Sequence, residues 1–152
     1  MSAYQSLCEV VSEISLLTST EAVLSWDQET YMPSKALDFR ARQMSYLTGK
    51  AHALLTSAKT RKLLDKAETE MPETPTQAAN VRGLRRDIDR ATKLPAQLVQ
   101  EESETATHAK AAWVEARSKS DFSMFAPHLE HLLSIARRKA DLFGYADEPY
   151  DA

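Results

Sequence analysis

Four histidines, a lone cysteine and clusters of acidic residues are the side chains of this 152-residue sequence that could do chemistry. A zinc hydrolase commonly places two histidines four apart on one helical turn, with a glutamate beside the first, so that two imidazoles and a general base meet one ion. Here His52, His108, His128 and His131 are followed by Ala53, Ala109, Leu129 and Leu132, and no His-Glu-x-x-His occurs. The nearest approach, His128-Leu129-Glu130-His131, has i,i+3 spacing that puts Glu130 off the shared face. It reads as two solvated or capping histidines near a helix start rather than as a metal pair. A carboxylate di-metal site needs glutamate three residues before histidine. Those positions hold Gly49, Thr105, Phe125 and His128. No Gly-x-Ser-x-Gly elbow exists, and Cys8, just beside an apolar stripe, reads as a small packing residue. With three glycines in total, phosphate-cradling loops are absent. Catalytic, cofactor-binding and metal-ligating residues are therefore all expected to be none in this chain.

The one notable charge feature is Arg82, Arg85, Arg86, Arg90 and Lys93, interleaved with Asp87 and Asp89. A nucleic-acid site wants uncompensated charge and aromatic residues for stacking. This cluster reads instead as a solvated helix face paired with an adjacent helix, for which the acidic run Glu101, Glu102 and Glu104 is the candidate. Trp26 and Trp113 are expected to anchor the core, with lining of a cleft as the lesser reading.

The elements that must hold these residues are helices. Apolar Leu7, Val10, Val11, Ile14, Leu17, Ala22 and Trp26 form one stripe, which predicts a long N-terminal helix from 1 to about 28. Ser2 with Gln5 reads as its capping box, and Thr18 with Glu21 as a second such pair at which the helix could kink. Ser34 is the expected N-cap of a second helix running to about Thr56, in which Gly49 could allow close packing. A third spans about 58–69. The clearest break is Met71-Pro72-Glu73-Thr74-Pro75, and Thr74, Pro75 and Gln77 signal the start of a fourth helix. A fifth follows Leu94-Pro95, through Leu98, Ala109 and Ala116. Asp121 caps a turn, Pro127 opens a sixth, and Gly144 is the expected left-handed cap after Arg137, Arg138 and Lys139. The fold expected is all-α, an antiparallel bundle of about six helices in a single helical domain over 1–152. A division into two subdomains at Pro72–Pro75 is the alternative.

Hydrophobic residues make up 43% and charged residues 27%, a globular balance. Nineteen Lys plus Arg against 22 Asp plus Glu give a net charge of −3, which removes the broad electrostatic reason to bind nucleic acid or an anionic membrane. One cysteine excludes an internal disulfide framework and fits a reducing compartment. Glu9 and Glu13 interrupt the N-terminal apolar residues, so no signal peptide is expected and the localisation expected is cytoplasmic.

One set of local patterns is more specific. Leu24-Ser-Trp-Asp-Gln-Glu-Thr-Tyr-Met-Pro33, Arg40, Arg42-Gln43 and Ala51-His52 resemble the opening of the thermostable carboxypeptidase Taq family. The likeness continues through Arg85-Arg86-Asp87, Ala91-Thr-Lys-Leu-Pro95, Ala112-Trp113-Val-Glu-Ala-Arg117, Ser120 to Pro127, Lys139 to Tyr145 and Pro149 to Ala152. The resemblance implies a considerably longer zinc-dependent metallocarboxypeptidase that removes single residues from peptide C-termini. Its His-Glu-x-x-His helix and downstream glutamate would lie beyond the matched region, so no zinc ligand or catalytic residue carries over to any position here. The resemblance assigns this segment to one wall and part of the roof of the groove around the zinc. The expectations are a non-catalytic N-terminal portion, inactive alone and without a cofactor of its own. The partners expected are a second copy, in a homodimer or higher oligomer, and the missing C-terminal catalytic portion. A free-standing helical interaction or oligomerisation module is the alternative.

Overall fold

The structure, a computed structural model, describes residues 2–70 and 74–152. Six helices account for most of it: α1 Ala3–Thr30, α2 Leu37–Leu55, α3 Ala58–Thr69, α4 Pro75–Thr92, α5 Ala96–Lys119 and α6 Ala126–Phe143. Short 3₁₀ turns lie at Ser34–Ala36, Phe122–Met124 and Pro149–Asp151, and no strand occurs among the described residues. The all-α reading and the long first helix hold, with α1 starting at Ala3 and running two residues past the expected end.

Local chemistry accounts for most of the boundaries. Ser2 Oγ accepts from the Gln5 amide at 3.2 Å while Gln5 Oε1 accepts from the Ser2 amide at 2.9 Å, a reciprocal capping box. Ser57 and Thr74 cap α3 and α4, accepting from the amides of Thr60 and Gln77. The Pro72 side of the expected break lies outside the described residues. Thr18 does not interrupt α1, because its hydroxyl donates back to the carbonyls of Ile14 and Ser15 at 3.2 Å instead of capping a new start. Ser34 is not an N-cap either. It opens a 3₁₀ turn behind Pro33, and α2 begins without a side-chain cap. The left-handed cap occurs at Ser120 (φ 52°, ψ 36°), where the Asp121 amide reaches the Ala116 carbonyl and the Ser120 amide that of Arg117. Gly144 has φ 81° but an extended ψ of 146°, and the last turn of α6 carries no basic residue. Gly144 is thus the C-cap with the positive φ expected of it, while Ser120 adds a full left-handed cap that the sequence did not mark.

Helix α2 lies between α1 and α5, and α6 packs on the far side of α5. The cross-links give the directions. Arg40 meets Asp27 while Thr48 meets Glu21, so α1 and α2 are antiparallel. His108 approaches Asp38 while Ser45 bonds the Gln100 carbonyl, so α2 and α5 are antiparallel too. At Gly49 a Cβ would stand 2.3 Å from Gln100 Nε2, so the Gln100 side chain of α5 lies over the glycine of α2. One core cluster joins the start of α1 (Ala3, Leu7) to α3 (Leu64, Ala67) and α4 (Val81, Ile88). Beyond Leu7 the expected stripe of α1 is only half covered, and Ala22 and Trp26 are exposed. Cys8 is exposed as well.

Candidate functional site

Arg40 is the residue from which the site is built. It sits in the inward stripe of α2 next to Ala41 and one turn from Met44, and is 8% exposed. A buried guanidinium needs its donors met. Arg40 meets them by bonding the Leu24 carbonyl, Asp27 Oδ2 at 2.5 Å and Gln43 Oε1 at 3.2 Å. The clasp fixes the last turns of α1 against α2. Gln28 Nε2 donates to the Thr107 carbonyl at 3.4 Å, and Lys110 Nζ stands 3.3 Å from Glu29, which ties the same end of α1 to the middle of α5.

These links frame a cleft of about 810 Å³ between the end of α1, the turn after it, α5 and the start of α6. Gln28, Glu29, Met32, Leu37, His108, Lys110, Trp113, Val114, Glu115 and His128 line it. Trp113, 40% exposed, forms its aromatic edge, with Lys110 Nζ 5.5 Å and the Arg117 guanidinium 5.6 Å from the ring centre. A smaller depression of about 550 Å³ continues past Trp113 to Phe122 and Phe125. The surface offers apolar contact, two cations and mixed hydrogen-bonding groups. That is equipment for holding or covering a chain, with no nucleophile and base in contact. Neither tryptophan is a core anchor: Trp26 is 58% exposed, edge-on to Tyr31 at 5.6 Å, and Trp113 takes the lesser reading as a cleft residue. Lengthwise apolar spacing located both on helices but could not say which face has a neighbour.

The histidines do not gather in one place: His108 and His128 line the cleft, whereas His52 and His131 lie outside it. His52 Nε2 lies 3.1 Å from the Leu94 carbonyl, His108 Nε2 is 4.0 Å from Asp38, and His128 faces the cleft. His131 Nε2 bonds Glu101 Oε1 at 3.1 Å, and Arg138 donates to the same oxygen at 2.7 Å. Hydrogen bonds from Arg138 and then His131 hold the Glu101 carboxyl below the usual glutamate range. Among the described residues no group of three His, Cys, Asp or Glu side chains could hold a metal ion. The His128/His131 pair is not brought together on one space: His131 bonds Glu101, which Arg138 also engages, whereas His128 lines the cleft.

The basic cluster pairs with a different helix from the one expected. Arg85 reaches Glu68 Oε2 at 2.7 Å and Asp65 Oδ1 at 2.5 Å on α3, which raises its pKa further above the ordinary guanidinium value, the Glu68 bond contributing most. Arg90 stacks 3.7 Å over the Phe143 ring, and Lys93 donates to the Phe143 carbonyl at 2.8 Å. The acidic residues Glu101 and Glu102 turn to α6, where Arg138 and Lys139 meet them. Sequence spacing established that α4 is a paired polar face but not which helix lay opposite. The Arg40 clasp was not foreseen, although a signal existed: an arginine inside the apolar run Leu37, Ala41, Met44.

The described residues form an all-helical unit with an arginine clasp and a tryptophan-edged cleft. Comparison with known proteins gives that unit a family. The carboxypeptidase Taq (M32) metallopeptidase pattern matches residues 6–152, and the chain belongs to that family. It is 37% identical over 132 residues to thermostable carboxypeptidase 1 of Pyrococcus furiosus, covering 87% of this chain and 26% of that protein. It is 34% identical to thermostable carboxypeptidase 1 of Thermus thermophilus, over 98% of this chain and 30% of the relative. The solved structure of BsuCP superposes with a TM-score of 0.91 at 26% identity, over 98% of this chain and 30% of that one. The M32 carboxypeptidase of Deinococcus radiodurans R1 gives a TM-score of 0.74 at 38% identity, with the same shares. The chain thus spans about 30% of the length of the relatives it matches. Among the described residues no helix is long and apolar enough to cross a membrane.

Proposed function

We propose that this chain is the N-terminal helical, non-catalytic portion of a zinc-dependent metallocarboxypeptidase that removes C-terminal residues from peptides. The observation that carries the reading is a pairing: membership of a metallopeptidase family in a chain that spans about 30% of its relatives and whose described residues bring no three potential zinc ligands together. Zinc, in this reading, is held by residues outside the 152, and this portion supplies one wall of the substrate groove. The Arg40 clasp sets the angle between α1 and α2, and Trp113 with Lys110 and Arg117 presents the surface that a peptide backbone and its side chains would meet. The test is release of C-terminal residues from short peptides, followed by mass spectrometry in excess zinc. The purified chain is expected to release none. Sustained release that copurifies with the chain would refute the reading.

A second reading is favoured by the uncovered side chains Leu16, Val23, Phe39, Tyr46 and Phe122, each more than half exposed. It is a helical interaction module that works as a homodimer or higher oligomer in the cytoplasm. Light scattering separates the two, because a chain that is monomeric at high concentration removes the oligomeric module.

A further inference from the structure

Arg117 is the cation of the Trp113 surface that no carboxylate answers. The glutamates lining the tryptophan-edged cleft are already engaged, Glu29 at 3.3 Å from Lys110 Nζ and Glu115 at 2.5 Å from Lys119 Nζ. Past Trp113, the depression of about 550 Å³ holds one carboxylate, Asp121, whose Oδ1 accepts from the Ser123 amide at 3.0 Å and from its hydroxyl at 2.6 Å. Arg117 lines the same depression, 5.6 Å from the centre of the Trp113 ring, and makes no ion pair among the described residues. The rest of the depression is aromatic. Ser120, in the left-handed region at φ 52°, turns the chain out of α5, and Asp121 caps the 3₁₀ turn Phe122–Met124. That turn sets the Phe122 and Phe125 rings edge-on to each other, 6.3 Å apart, in the depression that Trp113 borders. Phe122 is 65% and Trp113 40% exposed, so both rings keep surface open to a ligand. The volume lies within the range of ligand sites, about 300–1,000 Å³. Three rings and an unanswered guanidinium suit an apolar side chain with a carboxylate beside it.

We infer that the depression formed by Trp113, Arg117, Phe122 and Phe125 binds a peptide in which an aromatic residue stands next to an acidic one. The aromatic side chain lies among the three rings and the carboxylate meets Arg117. The inference rests on the proposed function, in which this surface is a wall of the substrate groove, and names the peptide sequence that such a wall favours. Trp113 lines the depression and the larger cleft alike, so a bound chain can run from one into the other. That continuity suits a residue inside a peptide rather than its last one. A basic residue in place of the acidic one would face Arg117 as a like charge.

The experiment titrates the full 152-residue chain, in a Trp26→Phe background that leaves Trp113 as its one indole, with peptides blocked at both ends. The probes are acetyl-Ala-Phe-Glu-Ala-amide and its versions with Gln or Lys for Glu, or Ala for Phe. Trp113 emission reads affinity, backbone amide shifts read the place, and mass spectrometry with free-acid peptides reads hydrolysis. The expected result is saturable binding of the Phe-Glu peptide, with shifts concentrated at residues 113–125. The Gln peptide should bind about three- to fivefold more weakly, the scale of an exposed ion pair, and the Lys peptide more weakly still. High salt should shrink that difference. Arg117→Gln should erase the preference for Glu over Gln without changing the melting curve of the chain. Phe122→Ala should weaken the three Phe peptides alike, while Arg61→Gln on α3 changes nothing. Equal binding of the Glu and Gln peptides, a preference that survives Arg117→Gln, or shifts elsewhere each overturns the site and leaves the proposed function standing. Absence of binding by all four peptides does the same. Release of residues from the free-acid peptides refutes the proposed function instead, and the blocked peptides, which no carboxypeptidase can shorten, still read the site.

Discussion

Replacing Arg40 with methionine keeps the aliphatic stem and deletes the guanidinium that holds α1 to α2. Three acceptors lose a donor: the Leu24 carbonyl, Asp27 Oδ2 and Gln43 Oε1. Removing one partner of a fully buried ion pair costs about 3–5 kcal/mol. The Arg40 side chain is 10% exposed but that of Asp27 is 35% exposed, so water can reach the abandoned carboxylate and the loss is smaller. Hydrogen bonds to charged groups contribute about 1.5–3 kcal/mol. The expected destabilisation is therefore about 2–3 kcal/mol, which for a chain of this size lowers Tm by about 4–12 °C. The assay is thermal and urea unfolding followed by circular dichroism, for Arg40→Met, Asp27→Asn and the double variant. Coupling of about 1 kcal/mol or more is expected across the cycle, because each group loses its partner in the other's variant. Additive effects, or a loss below about 0.5 kcal/mol for Arg40→Met, would refute the assignment of a clasp.

Other outcomes follow from the same structure. Gly83→Ala should stabilise by about 0.5–1 kcal/mol, since a helical glycine gains propensity as alanine and nothing lies within 4 Å of the new methyl. Gly49→Ala should gain less than Gly83→Ala or lose stability, because its Cβ meets the Gln100 side chain, and urea unfolding of the two variants ranks them. Ser57→Ala should cost about 1 kcal/mol in the same assay through loss of the α3 cap. Glu101, with its folded-state pKa lowered by Arg138 and His131, stabilises α5 against α6 above the ordinary glutamate pKa, about 4.3. That contribution is lost as pH falls through the lowered value. Arg138→Ala should move the Glu101 carboxyl titration upward by NMR, and an unmoved titration would disprove the link. Both tryptophans should be readily quenched by acrylamide in the folded chain, and strong protection of either would contradict its exposed placement.

The helices were legible in the sequence because their signals are local. Ser2–Gln5, Thr74–Pro75 and Pro127 act within one turn, and the periodicity of leucine and alanine needs no tertiary context. What was not legible is who stands opposite whom. Arg85 choosing α3, Glu101 choosing α6, and Trp26 facing outward depend on how helices are arranged around one another. Ser120 shows the same limit on a smaller scale, since its left-handed cap is stabilised by the Asp121 turn rather than by residue type. A cleft was the lesser reading of the tryptophans, and it holds for Trp113. Asp27, Arg40 and Trp113 all lie in the patterns that carried the family likeness, and the clasp gives a physical reason for the first two to occur together.

The zinc content of the purified chain bears most directly on whether this scaffold has metal chemistry of its own. After dialysis against zinc and removal of free ion, elemental analysis should find well under one zinc per chain, unchanged in a His128→Ala, His131→Ala double variant. One tightly held zinc per chain, lost in that variant, would mean that His131 leaves Glu101 to form a site with His128, and the account of a non-catalytic scaffold would be wrong.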